Sequence, residues 1–277
     1  QNFHNKMIRS LGRTNRVDVI SIRPFSRTMV KTTKFLSAEN VTTNIHWHYL
    51  AIKRNLFSRY HSALIESLKI CKNLPKDSII VCDLINPLCI AAADNIRRKL
   101  KLKAVGVCTD SPSNITGTKK SYTMYLLKKA KKLDGYISLT AELGELFGEN
   151  SQNHLVIEGI VEPLKDHPEK ISLSRPYFFF GGALLPRYGI YELIDAFNEF
   201  SAFNKDIDLV ICGHHADDQT MENSVKTNAN IKYFGTLDVA DIVSLEQNSF
   251  ACINPRPFNA DLDRYSIPSK TIEYFNS

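Results

Sequence analysis

The sequence of 277 residues predicts an α/β protein with two Rossmann-like domains, each a doubly wound parallel sheet. Short apolar runs alternate with longer amphipathic segments along the whole chain, which is typical of βαβ units. Many of these runs are continuously apolar, as expected for strands that are covered on both faces. Apolar and charged fractions of 43% and 23% fit a soluble globular protein, and the length suffices for two domains.

The elements of the first half follow from apolar spacing and from local start and stop signals. In the predicted helix at 53–72, Leu56, Tyr60 and Leu64 recur at helical spacing. Residues 28–44 are polar and irregular and are interpreted as a mobile excursion. Strands are predicted at 16–22, 43–50, 78–83, 104–108, 134–139 and 155–160, and helices at 2–11, 53–72, 88–100, 118–132 and after Thr140.

The second half begins after a proline-containing linker at 161–175 and repeats the alternation of strand and helix. In its longest predicted helix, 190–203, the side chains of Leu193, Ile194 and Phe197 fall on one face. The domain boundary is therefore predicted between residues 165 and 166, which gives domains 1–165 and 166–277. Strands are predicted at 176–180, 208–212, 231–235 and 249–253.

Charge divides unevenly between the two halves. Residues 1–165 carry 26 Lys and Arg against 13 Asp and Glu, whereas residues 166–277 carry 9 against 16. A basic first half predicts an anionic partner, which is nucleic acid, anionic lipid headgroups or a phosphorylated carrier. No stacking-aromatic motif accompanies the charge, so nucleic acid is disfavoured. The lysine-rich segment 119–132 is interpreted either as a solvated helix face or as a contact with an anionic membrane surface.

The cysteines, the histidine clusters and the chain ends limit which kinds of protein and of metal site are possible. None of the six cysteines forms a CxxC pair, which predicts reduced, buried thiols in a cytoplasmic protein. His46 and His48, and His214 with His215, lack a second ligand cluster at zinc spacing, so no metal site is predicted. No signal peptide or membrane span is visible. The chain starts with Gln and stops inside a motif helix, so we expect that a first strand and a last strand–helix unit are missing from this sequence.

The stretch 254–277 carries the main functional signal. An apolar run ends in Asn-Pro-Arg-Pro, which stops a strand and starts a loop. Pro268 then suits the first turn of a helix, where Ser269 and Lys270 present backbone N–H groups at its positive end. A diphosphate bound there would leave Glu273, one turn along, in position to accept hydrogen bonds from sugar hydroxyls. The alternative is a capped surface helix after a proline-rich loop.

This stretch resembles the donor-binding segment of bacterial capsule and exopolysaccharide glycosyltransferases, which are family-4 retaining enzymes of GT-B fold. The resemblance implies two Rossmann-like domains facing a cleft, and a turn at Ser269 and Lys270 that holds the donor diphosphate. It also implies ribose binding by Glu273 and places Arg256, in the Asn-Pro-Arg loop, among the donor-binding residues. UDP is the expected carrier. Cationic and N–H groups would stabilise the departing diphosphate, so neither a metal nor another cofactor is expected.

Two further stretches support the resemblance, which covers most of residues 104–277. Gly181 and Gly182 directly follow a predicted strand and let a ligand approach the backbone, while Arg187 could reach back to a phosphate. The alternative for the glycines is a tight strand-to-helix turn. Asp110 lies in a Thr-Asp-Ser-Pro turn at the carboxyl end of a parallel strand, which resembles the acceptor-side turn of the family. It would orient or deprotonate the acceptor hydroxyl or line its pocket, or else it caps the next turn.

The sequence departs from the family at one position. Many members carry two glutamates separated by seven residues, and the first of them falls here on Tyr265. The donor sugar therefore stays open. The expected acceptor is a saccharide or a polyprenyl-diphosphate-linked saccharide at the inner face of the plasma membrane. Two other functions also stay open, a nucleotide-sugar 2-epimerase on the same scaffold and a non-catalytic, glycosyltransferase-like partner protein.

Overall fold

The computed structural model describes residues 2–22, 38–51, 53, 55–112, 120–148, 153–161, 171, 173–215 and 217–275. The chain divides into two compact units. The first unit contains Gln1–Ile160 together with Ala260–Ile267, and the second contains Val161–Asn259 together with Pro268–Ser277. The predicted boundary between residues 165 and 166 lies outside the described residues.

The first unit combines parallel strands with flanking helices. Its described strands form two sheets, one of three strands and one of four. The sheet orders are β1-β3-β2 and β4-β5-β6-β7, and every pair is parallel except β2 with β3. The strands are β1 (Val17–Ser21), β2 (Ala38–Thr42), β3 (Ile45–Tyr49), β4 (Ile79–Asp83), β5 (Lys103–Cys108), β6 (Gly135–Ser138) and β7 (His154–Val156), and the helices are α1 (Asn2–Leu11), α2 (Leu56–Cys71), α3 (Pro87–Leu100), α4 (Lys120–Ala130) and α5 (Ala141–Gly148).

Strand β2 corrects the expectation of a mobile excursion at 28–44. Residues 38–42 pair antiparallel with β3, so that Ala38 lies opposite Tyr49 and Thr42 opposite Ile45. The strand was missed because Glu39, Asn40 and their neighbours are exposed and polar, which is a pattern that a sheet edge tolerates and that periodicity does not detect. Residues 28–37 of the expected excursion lie outside the described residues, and residues 43 and 44 form the turn between β2 and β3.

Local caps and buried apolar side chains explain the helices of the first unit. The Asn55 side chain accepts a hydrogen bond from the backbone N–H of Ser58 at 2.7 Å, and Asn86 caps α3 in the same way through Leu88. The core between β4, β5 and helices α3 to α5 is closed to solvent: its fully buried members include Leu84, Ala104, Cys108, Leu126, Leu143 and Phe147.

The second unit has one described sheet of four parallel strands, in the order β10-β9-β8-β11. Its core lies on both faces of this sheet, and all five residues of β9 are buried. The strands are β8 (Tyr177–Gly181), β9 (Asp208–Cys212), β10 (Ile231–Tyr233) and β11 (Ala251–Cys252), and the helices are α6 (Ile190–Phe203), α7 (Asp218–Val225) and α8 (Val239–Asn248), with a 3₁₀ turn at Pro186–Tyr188.

Helix α7 was not expected from the sequence. Its inward side chains Met221 and Val225 are buried and lie four residues apart, but the remaining six positions are polar. One apolar pair is too short a stripe to indicate a helical period, so the helix is set by tertiary packing.

A short helix near the end of the chain, α9 (Ala260–Tyr265), belongs to the first unit. The sequence predicts a loop after the Asn-Pro-Arg-Pro stretch, and no helix before Pro268. Instead, Tyr265 packs against the core of the first unit, and the Thr140 hydroxyl donates a 3.1 Å hydrogen bond to the carbonyl oxygen of Arg264. Thr140 also accepts from the backbone N–H of Leu143, which confirms its predicted role as a helix cap.

Candidate functional site

The predicted motif helix is α10 (Ser269–Tyr274), which has six residues. Pro268 occupies the N-cap position rather than the first turn, because its ψ of 110° is extended and not helical. Ser269 is exposed and opens the helix, while Lys270 and Glu273 are half-buried. The helix and its order of residues are as predicted, and only the place of the proline differs.

Helix α10 packs against the glycine turn at the end of β8. A Cβ atom built on Gly182 would lie 3.6 Å from Cε of Lys270. The backbone N–H of Gly181 donates a 3.1 Å hydrogen bond to the phenol oxygen of Tyr274. Two stretches that lie about ninety residues apart in sequence, each expected to contact phosphate, are therefore adjacent in one unit.

Lys270 lies between two carboxylates. Its Nζ is 2.7 Å from Oε2 of Glu273 and 3.9 Å from Oε1 of Glu246. Glu246, on α8, was not identified from the sequence. It lies four residues after Ile242 and one after Leu245, so it stands on the apolar face of its helix. A charged residue on an apolar stripe was the signal that could have found it.

Burial raises the pKa of Glu246 to about 6. The ammonium group of Lys270 lowers this pKa, whereas the negative charge of Glu273 raises it further. The carboxyl lines a cavity of about 440 Å³, together with Cys252, Asn254 and Thr271. Glu246 is therefore a group that gains or loses its proton close to neutral pH, beside the lysine of the motif.

The glycines at the end of β8 and β9 serve backbone packing. The N–H of Gly182 donates to the carbonyl oxygen of Cys212 at 3.0 Å, so this N–H group is already used within the fold. What Gly182 offers a ligand is the space left by its missing side chain. Gly213 has a φ of +139°, and a Cβ there would lie 1.7 Å from the carbonyl oxygen of Gly182. Only glycine fits at position 213. Its location directly after a strand could have indicated this requirement from the sequence.

Arg187 and Arg256 lie on neighbouring loops of the second unit. Arg187 is exposed in the 3₁₀ turn, and its guanidinium stacks 5.0 Å from the ring centre of Tyr188. Gly189 closes this turn with a φ of +79°, where a Cβ would lie 2.1 Å from the carbonyl oxygen of Pro255. Arg256 is half-buried in the next position. The structure thus pairs Arg187 with an aromatic ring of its own turn, and the phosphate contacts of both arginines stay predictions.

In the first unit, two carboxylates follow adjacent parallel strands. Asp110 lies two residues after β5, and its Oδ1 accepts a 2.7 Å hydrogen bond from the N–H of Ser111. Asp83 ends β4 and accepts from the N–H of Ile85 at 2.9 Å. Asp83 was not identified from the sequence. Its charge acts on the His4 imidazole, whose pKa is lowered mainly by burial and is raised in part by Asp83.

Two further histidines, His48 and His215, have partners within the fold. His48 contacts Asp18 at 3.0 Å and Glu39 at 3.3 Å, and Nε2 of His215 lies 3.2 Å from the hydroxyl of Tyr191. No disulfide joins the six cysteines in the structure, and four of them are buried and two half-buried. Within the described ranges, no three His, Cys, Asp or Glu side chains converge as a metal site would require, and none of the helices there could cross a bilayer.

No family model and no curated protein matches this chain. Solved structures do match, at low identity. Anabaena Alr3699/HepE in complex with UDP-glucose has 10% identity and a TM-score of 0.56, over 93% of this chain and 72% of that one. The α,α-trehalose 6-phosphate synthase of Burkholderia multivorans has 12% identity and a TM-score of 0.51, over 85% and 74%. A UDP-N-acetylglucosamine 2-epimerase has 14% identity and a TM-score of 0.50, over 76% and 59%.

Several of the matched proteins are much longer than this chain, which spans 39% of the length of one of them and 59% of the epimerase. Sequence identities this low establish a shared fold and nothing finer. Both units of this chain carry parallel sheets with helices, as the predicted fold class requires. The chain therefore has the GT-B fold, with two Rossmann-like domains.

Proposed function

We propose that this protein is a retaining glycosyltransferase that moves a hexose-type sugar from a UDP-linked donor to a saccharide or lipid-linked saccharide in cell-surface polysaccharide synthesis. The observation that carries the proposal is the contact between Lys270 and Gly182. A flexible cation beside a residue without a side chain leaves room for a phosphate and offers it an opposite charge. The UDP-glucose bound to a protein of the same fold, and the synthase among the matches, also support it.

On the donor side, phosphate contacts are assigned to Lys270, Ser269, Gly182, Arg187 and Arg256. Lys270 now pairs with Glu273 at 2.7 Å, so an incoming diphosphate would take over its ammonium group. The released Glu273 carboxylate would then accept hydrogen bonds from the ribose. Fixed cationic charge at the leaving diphosphate stabilises the transition state, and this proposal assigns that role to the chain itself, without a metal ion.

On the acceptor side, Asp110 is assigned to the lining of the acceptor site, where it would orient or deprotonate the acceptor hydroxyl. The acceptor proposed is a polyprenyl-diphosphate-linked saccharide at the cytoplasmic face of the plasma membrane. Helix α4 supports this proposal because Met124 and Tyr125 are exposed, at 62% and 38%, on a helix with Lys128 and Lys129 in its last turn. Apolar side chains next to lysines suit a surface of anionic lipid.

Two alternatives rest on separate observations. The match to a UDP-N-acetylglucosamine 2-epimerase favours epimerisation of the free nucleotide sugar. The packing of Tyr265 in the first unit favours a non-catalytic partner protein, because the position of the first family glutamate is used for core packing. Radiolabelled UDP-sugars distinguish the three: transfer of label to a membrane extract indicates the transferase, and epimerised donor without extract indicates the epimerase. Binding with neither reaction, across a panel of acceptors, indicates the partner protein.

The donor site is tested by calorimetry with UDP and with inorganic pyrophosphate. Lys270→Ala should weaken both ligands by about 10- to 100-fold, because it removes a charge-assisted contact worth about 1.5–3 kcal/mol. Glu273→Ala should weaken UDP, which loses its ribose contact, but not pyrophosphate, which has no ribose and no longer competes with Glu273 for Lys270. Lys226→Ala, which removes an exposed lysine of the same unit, is the matched control. Unchanged UDP affinity in Lys270→Ala and Glu273→Ala would remove the donor-site assignment.

A further inference from the structure

Glu246 is a buried carboxylate placed beside the cation that the proposed donor site uses. Its side chain is 5% exposed, and its Oε1 lies 3.9 Å from Nζ of Lys270. Within the described part of the chain, no donor hydrogen-bonds this Oε1 atom. The ion pair is therefore longer than the one with Glu273, and the desolvation of Glu246 is only partly offset.

The charge around Glu246 is negative when its carboxyl is ionised. Lys270 supplies one positive charge, and Glu273 supplies a second carboxylate. Burial raises the pKa of the Cys212 thiol to about 12 and also raises the pKa of the Tyr274 phenol, so both stay neutral. The cluster carries a net charge of −1 with Glu246 ionised and of zero with Glu246 protonated. The ionisable groups that face it are Lys270, Glu273 and Tyr274 on α10, Cys212 on β9 and Cys252 on β11.

We propose that Glu246 is a positioning residue that gains proton occupancy from solvent when a nucleotide diphosphate binds at Lys270. The inference rests on the proposed donor site. No covalent bond changes, since the proton adds to the carboxylate and the ammonium group of Lys270 turns to the phosphate. Once Glu246 is neutral, it no longer competes with the diphosphate for Lys270. Its carboxyl also no longer repels the negative charge of the diphosphate.

Two physical arguments support the direction of the effect. A diphosphate brings two more negative charges next to a carboxylate whose pKa is already about 6, and a like charge raises it further. Glu246 is among the residues that line a cavity of about 440 Å³, and we expect the proton to reach its carboxyl from this side.

The test is calorimetric binding of UDP-glucose from pH 5.5 to pH 8, in two buffers that differ in ionisation enthalpy. UDP-glucose is preferred to UDP because the terminal phosphate of UDP itself titrates near pH 6. The parent protein should take up about half a proton per site near pH 6.5 and lose about sevenfold in affinity between pH 5.5 and pH 8, as expected when binding raises a pKa of about 6 by about one unit. Glu246→Gln should take up no proton and should bind as tightly at pH 8 as at pH 5.5.

Glu199→Gln, which alters an exposed carboxylate on α6, is the matched control and should keep the parent profile. Proton uptake by the parent needs no variant, so the test stands even if Glu246→Gln does not fold. Binding of UDP-glucose without proton uptake, or with the same pH profile in parent and Glu246→Gln, overturns the role of Glu246 and leaves the donor site intact. Absence of UDP-glucose binding by the parent at every pH overturns the donor site, and the role of Glu246 with it.

Discussion

The carboxyl ends of the two parallel sheets differ in what they expose. In the first unit, side chains fill this edge: Leu84 is fully buried after β4, and a Cβ on Gly106 of β5 would lie 2.6 Å from it. In the second unit, backbone meets backbone, because Gly213 lies against the carbonyl group of Gly182. The sheet of the first unit therefore ends in carboxylates, whereas the sheet of the second unit ends in glycines beside Lys270, which Glu246 and Glu273 flank. Only the second edge offers an anion a cation next to open backbone.

A central strand of the second unit and an edge strand of the first unit differ in how completely they are buried. All five residues of β9 are buried, whereas Ile79 and Val81 of β4 are 63% and 41% exposed. We infer that the second unit depends more on close packing, and that equivalent substitutions cost it more stability. The following predictions test that difference, in order of decreasing effect.

Gly213→Ala is expected to lower the free energy of unfolding by at least about 4 kcal/mol, measured by chemical denaturation. The added methyl group would lie 1.7 Å from a backbone oxygen, so the main chain itself must move. Gly235→Ala is the control, because its φ of +62° is also left-handed but a Cβ there meets no atom within 4 Å. It should cost only about 1 kcal/mol. Equal losses of unfolding free energy in the two variants would show that the left-handed backbone conformation makes Gly213 necessary, and not its close approach to the carbonyl group of Gly182.

Asp208→Asn is expected to lower the free energy of unfolding by about 3 kcal/mol, because it removes a buried charge from a network. Asp208 is fully buried between Arg175, at 3.2 Å, and Lys232, which come from distant parts of the second unit. The counterpart in the first unit is Asp94, which pairs with two arginines of its own helix and is 8% exposed. Asp94→Asn should cost about 1 kcal/mol, and a cost equal to that of Asp208→Asn would contradict the proposed difference between the units.

The fold was predictable where the strands are continuously apolar. Strand β9 and helix α6 match their predicted ranges, because burial on both faces and a long apolar stripe leave clear patterns. Strand β2 and helices α7 and α9 were missed since they are short, polar and held by tertiary contacts. Their positions depend on neighbours that a local pattern does not contain.

The motif residues of the candidate site were predictable from the sequence, but the buried carboxylate beside them was not. Ser269, Lys270 and Glu273 stand on one helix, as their spacing requires, and the glycine turn lies against them. The buried Glu246 lies more than twenty residues away in sequence, and only the fold brings it to Lys270. Glu246 and Lys270 lie on different helices, and only the tertiary structure brings them together. No rule of sequence spacing connects them.

Glu246→Gln is expected to change how stability depends on pH. Between acid and neutral pH, the free energy of unfolding of the variant relative to the parent should shift by about 2 kcal/mol, because each unit of raised pKa corresponds to 1.36 kcal/mol. Folding raises the pKa of this carboxyl from 4.5 to about 6, so its contribution to stability is fully present below pH 4.5 and is lost as pH rises through 6. Glutamine does not titrate. The stability of the variant relative to the parent should therefore increase from pH 4.5 to pH 7 and then stay constant, as measured by urea unfolding. A difference that is flat with pH would show that folding does not raise the pKa of Glu246.

The smallest effect is expected on the first unit, at its exposed lysines. Lys128 is exposed on α4, and the buried Leu126 and Ala130 hold the helix in place, so Lys128→Gln should leave the free energy of unfolding within about 0.5 kcal/mol of the parent. If α4 contacts anionic lipid, the same change should weaken sedimentation with phosphatidylglycerol vesicles about fivefold, since each lysine contributes about 1 kcal/mol. Lys72→Gln, an equally exposed lysine at the end of α2, should bind vesicles like the parent. Equal weakening in both variants would mean that net charge alone attracts the vesicles, and that α4 has no special place in the contact.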